Sequence, residues 1–253
     1  MKLLTLARDL RRRKARERHQ LFVAEGARTV EELLRSSLQV RGVLIGPQFD
    51  GNPRADTIRS EIASRAVPFE DVSERDFETA AETETPQGIL AVGVVPDRRL
   101  AGLPNGDSFL LLVLDGVQDP GNVGTIVRTA AALGVTATLA LPGTVDLWNA
   151  KVVRSGMGGH FHHTCLSITW DELDAFRSDR GLAIWAADAA GEPLGGFERA
   201  TRLALVVGNE GAGLSTQSRA RADRLVSLPI GEAVESLNVA VAAGILLYEL
   251  RRR

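Results

Sequence analysis

The sequence predicts an α/β protein of two domains, the second carrying a ligand site at the carboxyl ends of its strands. Three observations predict it. Short apolar runs rich in β-branched residues alternate with segments of helical period, and they do so twice. A stretch rich in Pro, Gly and charge with no clear period, PDRRLAGLPNGD (96–107), separates the two series. Two late apolar runs, 203–207 and 224–229, each empty into a loop of Gly, Asn, Glu and Ser, which is where an open α/β sheet places its ligand. The expected division is 1–97, a linker at 98–108, and 109–253.

In the first series, Leu3, Leu4, Leu6, Ala7 and Leu10 have helical spacing. The run Arg11, Arg12, Arg13, Lys14 is expected on the exposed face of that opening helix. Strands follow at 21–26, 40–46 and 89–95, and helices at 27–37 and 57–66. The second series opens at FLLLVLD (109–115), a continuous apolar run typical of a strand covered on both faces. GVQDPGNVG (116–124) is a glycine-rich loop, and 125–134 a short helix stopped by Gly134. A strand at 135–142, a helical start at 148 that ends in glycines, and a strand at 182–189 lead to the two strand–loop units. Residues 237–250 form a helix that is apolar almost all round, with Ser236 or Asn238 near its cap.

Composition narrows the classes. Hydrophobic content of 44% and charge of 25% are ordinary globular values. A single cysteine, Cys165, forms no internal disulfide and suits a reducing cytoplasm. No apolar segment follows the basic N-terminus as a signal peptide requires, and no run reaches the ~20 residues that cross a bilayer. Net charge is −2, yet residues 1–20 hold eight Lys or Arg against two acids. Phosphate recognition depends on such a local patch rather than on the total. The plain alternative is a solvated, salt-bridged helix face.

Several motifs carry candidate chemistry. Gly208, Gly211 and Gly213 let backbone approach a ligand closely. Asn209, Glu210, Ser236 and Asn238 supply convergent polar groups. Asn122 and Arg128 lie six residues apart, about 1.7 helical turns, and need not share a face. Either Asn122 caps the helix and Arg128 is a surface residue, or a bent loop lets them converge. GNEGAG (208–213) is not a dinucleotide fingerprint, and no phosphate loop or G-x-S-x-G elbow occurs. A Glu210 beside such a loop reads as a hydrogen-bond anchor rather than an acid catalyst. His160, His162, His163 and Cys165 cluster, but H-x-H-H-x-C matches no standard zinc spacing, so no metal is expected.

In combination, NVGTIVRTA, VVGNEGAGLS and LPIGEAVESLNVAVAAGILLYEL, in that order, resemble the SpoU-type branch of the SPOUT RNA 2′-O-ribose methyltransferases. LFVAEGARTVEELL and TPQGILAV look like the small ribosomal-protein-like RNA-binding domain often fused ahead of it. The resemblance spans nearly the whole chain. It implies a parallel-sheet fold with a C-terminal trefoil knot, one of the rare exceptions to unknotted topology. It implies S-adenosylmethionine held by Gly208, Asn209, Leu228, Ile230 and Leu237, and catalytic positions at Asn122, Arg128, Glu210, Ser236 and Asn238. It implies a homodimer through the final helix, where Ala240, Ala243 and Gly244 permit close approach. Arg128 would grip a phosphate and stabilise charge on the 2′ oxygen, since a guanidinium is a poor base. Arg11, Arg12, Arg13, Lys14, Lys151 and Arg154 are the expected RNA contacts. The segment SGMGGHFHH (155–163) departs from the plainer turn usual in the family.

The expected function is therefore methyl transfer to an RNA ribose in the cytoplasm. Ribosomal RNA is the expected target and transfer RNA second, because the fused domain is commoner on rRNA enzymes. A non-catalytic RNA-binding or assembly factor is one rival, against which the retained Asn122, Arg128, Glu210 and Asn238 count. A different nucleotide-binding enzyme is the other, against which the missing phosphate loop counts.

Overall fold

The computed structural model describes residues 2–196, 198–231 and 233–252. Contacts divide the chain into two units. One is the chain up to Asp97 together with Trp148–His162; the other is Arg98–Leu147 with the chain from His163 onward.

The first unit begins with α1 (Leu3–Leu10) and α2 (Arg13–His19). The basic run thus straddles a break between two helices instead of riding one. The reason lies in Arg16, which is buried and donates to the carbonyls of Leu10 (2.8 Å) and Arg11 (2.9 Å). A cation there satisfies carbonyls that the end of α1 leaves unpaired. Next come β1 (Leu21–Glu25), α3 (Ala27–Arg35), β2 (Val40–Ile45), α4 (Ala55–Ser64), β3 (Phe69–Asp71), α5 (Glu74–Ala80) and β4 (Ile89–Val94). The sheet runs β1-β4-β2-β3, with β4 antiparallel to both neighbours and β3 parallel to β2. It is a mixed sheet; β3 and α5 are too short and polar to show in the sequence pattern.

The second unit holds β5 (Phe109–Asp115), α6 (Pro120–Ala132) and β6 (Ala137–Ala140). Two short helices, α7 (Ala150–Ser155) and α8 (Gly159–His162), then fall in the first unit. There Phe22 of β1 lies tilted against Trp148 (4.6 Å between centroids) and stacks on Phe161 (5.9 Å). The contact division therefore differs from a cut at one linker: 148–162 joins the unit that precedes it.

The second unit continues with β7 (Cys165–Ser167), α9 (Trp170–Arg180), β8 (Ala183–Pro193), β9 (Arg202–Gly208), α10 (Thr216–Arg221), β10 (Arg224–Ser227) and α11 (Val239–Arg251). Its sheet order is β10-β8-β9-β5-β6-β7, and every pair is parallel. All seven positions of β5 are buried, as the unbroken apolar run predicts. Parallel pairing brings the carboxyl ends of β5, β8, β9 and β10 to one edge.

Three boundaries differ from the pattern reading. Helix α6 starts at Pro120, not 125, because Asp119 caps it by accepting from the Asn122 amide (2.8 Å) with Pro120 in the first turn. Strand β8 runs on to Pro193. Helix α11 starts at Val239, with Asn238 as its cap accepting from Ala240 (2.9 Å) and Val241 (3.3 Å). Ala240 and Ala243 are buried within the chain, and a Cβ on Gly244 would lie 3.4 Å from Thr129 of α6. These small residues serve packing inside one chain, a correction to the expectation that they line a subunit interface. The exposed apolar face of α11 is Val241, Ile245 and Tyr248 instead.

Candidate active site

The loop after β9 folds back on itself. Asn209 and Gly213 exchange backbone hydrogen bonds (2.9 and 3.0 Å), and Asn209 Oδ1 accepts from Gly211 and Ala212 (both 2.9 Å). The turn is so tight that a Cβ on Gly208 would meet the Gly213 carbonyl carbon at 2.4 Å. Asn209 Nδ2 also donates to the Gly116 carbonyl (2.7 Å), tying this loop to the one after β5.

Glu210 completes that tie. It accepts from the amides of Gln118 (3.2 Å) and Asp119 (3.1 Å) and from Asn122 Nδ2 (3.1 Å). Asn122 Oδ1 in turn accepts from Asn238 Nδ2 (3.0 Å), so the cap of α11, the first turn of α6 and the β9 loop form one chain of hydrogen bonds. Desolvation draws the Glu210 carboxyl upward. The bonds from Asn122 and from the backbone of Glu210, Asp119 and Gln118 outweigh it and hold the group below its ordinary value. Glu210 is an ionised anchor.

A cavity of about 500 Å³ opens beside this chain, within the ~300–1,000 Å³ usual for small-molecule sites. Gly208, Asn209, Leu228, Ile230 and Leu237, the five expected cofactor positions, all line it. So do Glu210, Ser236 and Asn238. Asn122 does not line it but reaches it through Asn238 and Glu210. Arg128 does not line it either. It is exposed, six positions along α6 and about 120° round the helix from Asn122, with no hydrogen bond or ion pair to a described residue.

The chemistry of the lining suits S-adenosylmethionine. Among the described lining residues, Asp188, Glu210 and Glu235 face the cavity against one cation, Arg219, a net negative wall for a sulfonium. Leu228, Leu237 and Val226 supply apolar surface for a purine. Such a ligand carries no phosphate, in keeping with the missing phosphate loop.

Sequence reasoning missed supporting residues. Asp115, buried at the end of β5, accepts from the Ser215 amide (2.7 Å) and the buried Ser218 hydroxyl (2.5 Å) and so fixes the far end of the glycine loop. Asp119 was signalled by the Asp-Pro pair that marks a helix start. Nothing in the sequence singled out Asp188 or Arg219.

The expected RNA contacts are largely occupied. Arg12 and Arg18 pair with Asp9, Arg13 with Glu17 (2.7 Å), and Arg11 donates to the Thr79 carbonyl (3.2 Å). Arg154 lies 3.8 Å from the buried Glu25. Lys14 and Lys151 are exposed, and neither side chain has a partner among the described residues.

The histidines do not converge. His160 is buried edge-on to Trp148, His162 is exposed, and His163 is bonded to the Thr138 hydroxyl (2.9 Å). Burial, with Arg98 nearby, pushes the His163 imidazole down to about 4, so it is neutral. Among the described residues no group of three or more His, Cys, Asp or Glu is placed to hold a metal ion. No helix among them is long and apolar enough to cross a membrane.

Comparison with known proteins agrees with this geometry. Residues 109–248 match the SpoU rRNA methylase family, and residues 5–91 match the MRM3-like substrate binding domain. The chain belongs to the SpoU rRNA methylase family. It is 36% identical over 249 residues to the 23S rRNA (guanosine(2553)-2′-O)-methyltransferase RlmP of Bacillus subtilis, spanning 96% of this chain and 94% of that protein. The AdoMet-bound SpoU methyltransferase AviRb of Streptomyces viridochromogenes superposes with a TM-score of 0.85 at 27% identity, covering 98% and 96% of the two chains. An AdoMet-bound rRNA methyltransferase from Sinorhizobium meliloti gives 0.84 at 26% identity, covering 99% and 94%.

Proposed function

We propose that this protein transfers a methyl group from S-adenosylmethionine to a ribose 2′-hydroxyl of ribosomal RNA. The observation that carries the reading is the hydrogen-bonded chain Asn238–Asn122–Glu210 along one wall of a cavity lined by all five cofactor positions. When bound, the cofactor supplies an electrophilic methyl on a cationic sulfur. The chain's own task is alignment and charge. Glu210 fixes the two loops, and Asn122 and Asn238 orient the ribose. Ser236, at the cavity rim, keeps the last loop in shape. Arg128 holds the neighbouring phosphate and stabilises negative charge developing on the 2′ oxygen. With no hydrogen bond or ion pair to a described residue, its guanidinium is available for that role. The 2′-hydroxyl requirement selects RNA, in an unpaired or loop segment that an enzyme can reach.

Residues 1–97 serve as the RNA-binding domain, with Lys14 on a phosphate and Arg11, Arg12 and Arg13 exchanging their surface pairs for RNA, and Lys151 adds a second phosphate contact from the 148–162 segment. The chain from 203 onward is threaded as a trefoil knot. The protein acts in the cytoplasm as a homodimer through Val241, Ile245 and Tyr248, an apolar stripe at i, i+4 and i+7 that water otherwise covers. Residues 98–108 link the domains.

The test is methyl transfer from labelled S-adenosylmethionine into separated large-subunit rRNA, small-subunit rRNA and tRNA from cells lacking the gene. Label in large- or small-subunit rRNA, absent with Arg128→Ala, is the expected result. Label confined to tRNA overturns the target class. Failure to bind the cofactor at all overturns the enzyme reading in favour of an RNA-binding factor.

A further inference from the structure

Parallel pairing of β8 with β10 is interrupted. Ala186 pairs with Leu225, but the next residue of β10, Val226, pairs with Glu192, so residues 187–191 leave the ladder. The excursion is pinned at its end, where Ser227 Oγ donates to the Gly191 carbonyl (2.8 Å) and a Cβ on Gly191 would lie 2.6 Å from Leu225 carbonyl carbon. It carries Asp188 into the cavity wall. The Asp188 side chain is 9% exposed; Oδ1 accepts from the Ala190 amide (2.9 Å) and Oδ2 pairs with Arg219 Nη1 of α10 (2.5 Å).

Among the acids that line the cavity, Glu210 is consumed by the loop tie and Glu235 is exposed. Asp188 differs from both. A carboxylate offers about four lone-pair sites, and the two bonds just named leave one on each oxygen. Two adjacent acceptors match a vicinal diol. Position agrees with this. In the order β10-β8-β9-β5, the apolar Val226 and Leu228 lie at the β10 end and the Asn238–Asn122 chain at the β9–β5 end. A nucleoside laid along that edge puts its purine over β10, its ribose over β8 and its 5′ substituent toward Asn238. We infer that Asp188, held by Arg219, is the acceptor for the 2′- and 3′-hydroxyls of the cofactor's ribose. In dinucleotide folds, too, an acid at the edge of a parallel sheet meets a ribose hydroxyl.

The inference rests on the methyl-donor reading, and one titration series separates the two. S-adenosylhomocysteine, its 2′-deoxy and 3′-deoxy analogues, and methylthioadenosine are titrated calorimetrically into the unaltered protein and into Asp188→Ala, Asp188→Asn and Arg219→Ala. The unaltered protein is expected to lose ~10- to 100-fold in affinity when a hydroxyl is removed, the scale of a hydrogen bond to a charged group. Asp188→Ala should bind S-adenosylhomocysteine weaker by a similar factor and no longer distinguish the deoxy forms. Asp188→Asn, which keeps the shape, should fall between, and Arg219→Ala should lose only a few-fold. Discrimination of the deoxy forms that survives Asp188→Ala overturns the assignment alone. So does an Asp188→Ala effect seen with S-adenosylhomocysteine but not with methylthioadenosine, since the acid would then face the amino-acid arm. No binding of any of these ligands by the unaltered protein overturns the methyl-donor reading and the assignment together.

Discussion

The wall of the cavity and the N-terminal helix pair use polar residues in opposite ways. Along the wall, Glu210, Asn122 and Asn238 bond to one another and to loop backbone, so their geometry is set before any ligand arrives. In α1 and α2, Arg12, Arg13 and Arg18 make short-range surface pairs with Asp9 and Glu17. Pairs of that kind contribute about 0–1 kcal/mol and can be exchanged for a phosphate. Alignment chemistry needs the first arrangement, and electrostatic gripping tolerates the second. Arg128 belongs to neither: it sits on the same helix as Asn122, exposed and with no partner among the described residues.

Substitutions can break this comparison in order of effect. Arg128→Ala is expected to lower turnover by ~10²-fold or more, the scale of losing one positioned donor, while cofactor affinity measured calorimetrically stays the same. Unchanged turnover would remove Arg128 from the reaction. Asn238→Ala removes both a helix cap and the link to Asn122. The cap alone is worth ~0.5–2 kcal/mol, so thermal denaturation should report a lower Tm along with slower methyl transfer. A normal Tm with slower transfer would show that the link, not the cap, matters. Glu210 gives a pH test. Its folded-state value is depressed, so its contribution is present above the ordinary carboxylate range and is lost as pH falls through the folded value, below 4.5. Cofactor affinity should therefore hold down to pH 4.5 and fall only in more acid solution, with Glu210→Gln flat across the same window. The smallest effect is expected at the helix pair. Lys14→Ala should reduce the salt dependence of RNA binding by about one unit of slope, and Arg12→Ala by less, because Asp9 already shares its charge.

The extent to which the sequence disclosed this follows the same contrast. Unbroken apolar runs, as in β5 and β9, announce themselves because burial on both faces leaves no other composition. The glycine loop was visible because only Gly tolerates the Gly208–Gly213 approach. Helix start signals are present in the sequence: Asp119-Pro120 sets the first residue of α6, and Thr169 with Glu172 forms a capping box on α9. Partner choice was not visible. Whether an arginine in the run 11–18 faces solvent, Asp9 or the carbonyls of Leu10 depends on where α1 breaks. Nor could Asp188 be picked out, since only the pairing shift between β8 and β10 turns it from a strand residue into a wall residue.

Trp148 and Phe161 flanking Phe22 bear on modularity. The N-terminal unit is not a cassette that ends at residue 97. A fragment cut there would leave the Phe22 ring without its two aromatic neighbours and Glu25 without Arg154. Any exchange of N-terminal domains among relatives would have to carry the 148–162 excursion along with the N-terminal chain. Drift in the two distant stretches should accordingly be correlated, with a change in the size of one ring answered by a change in another.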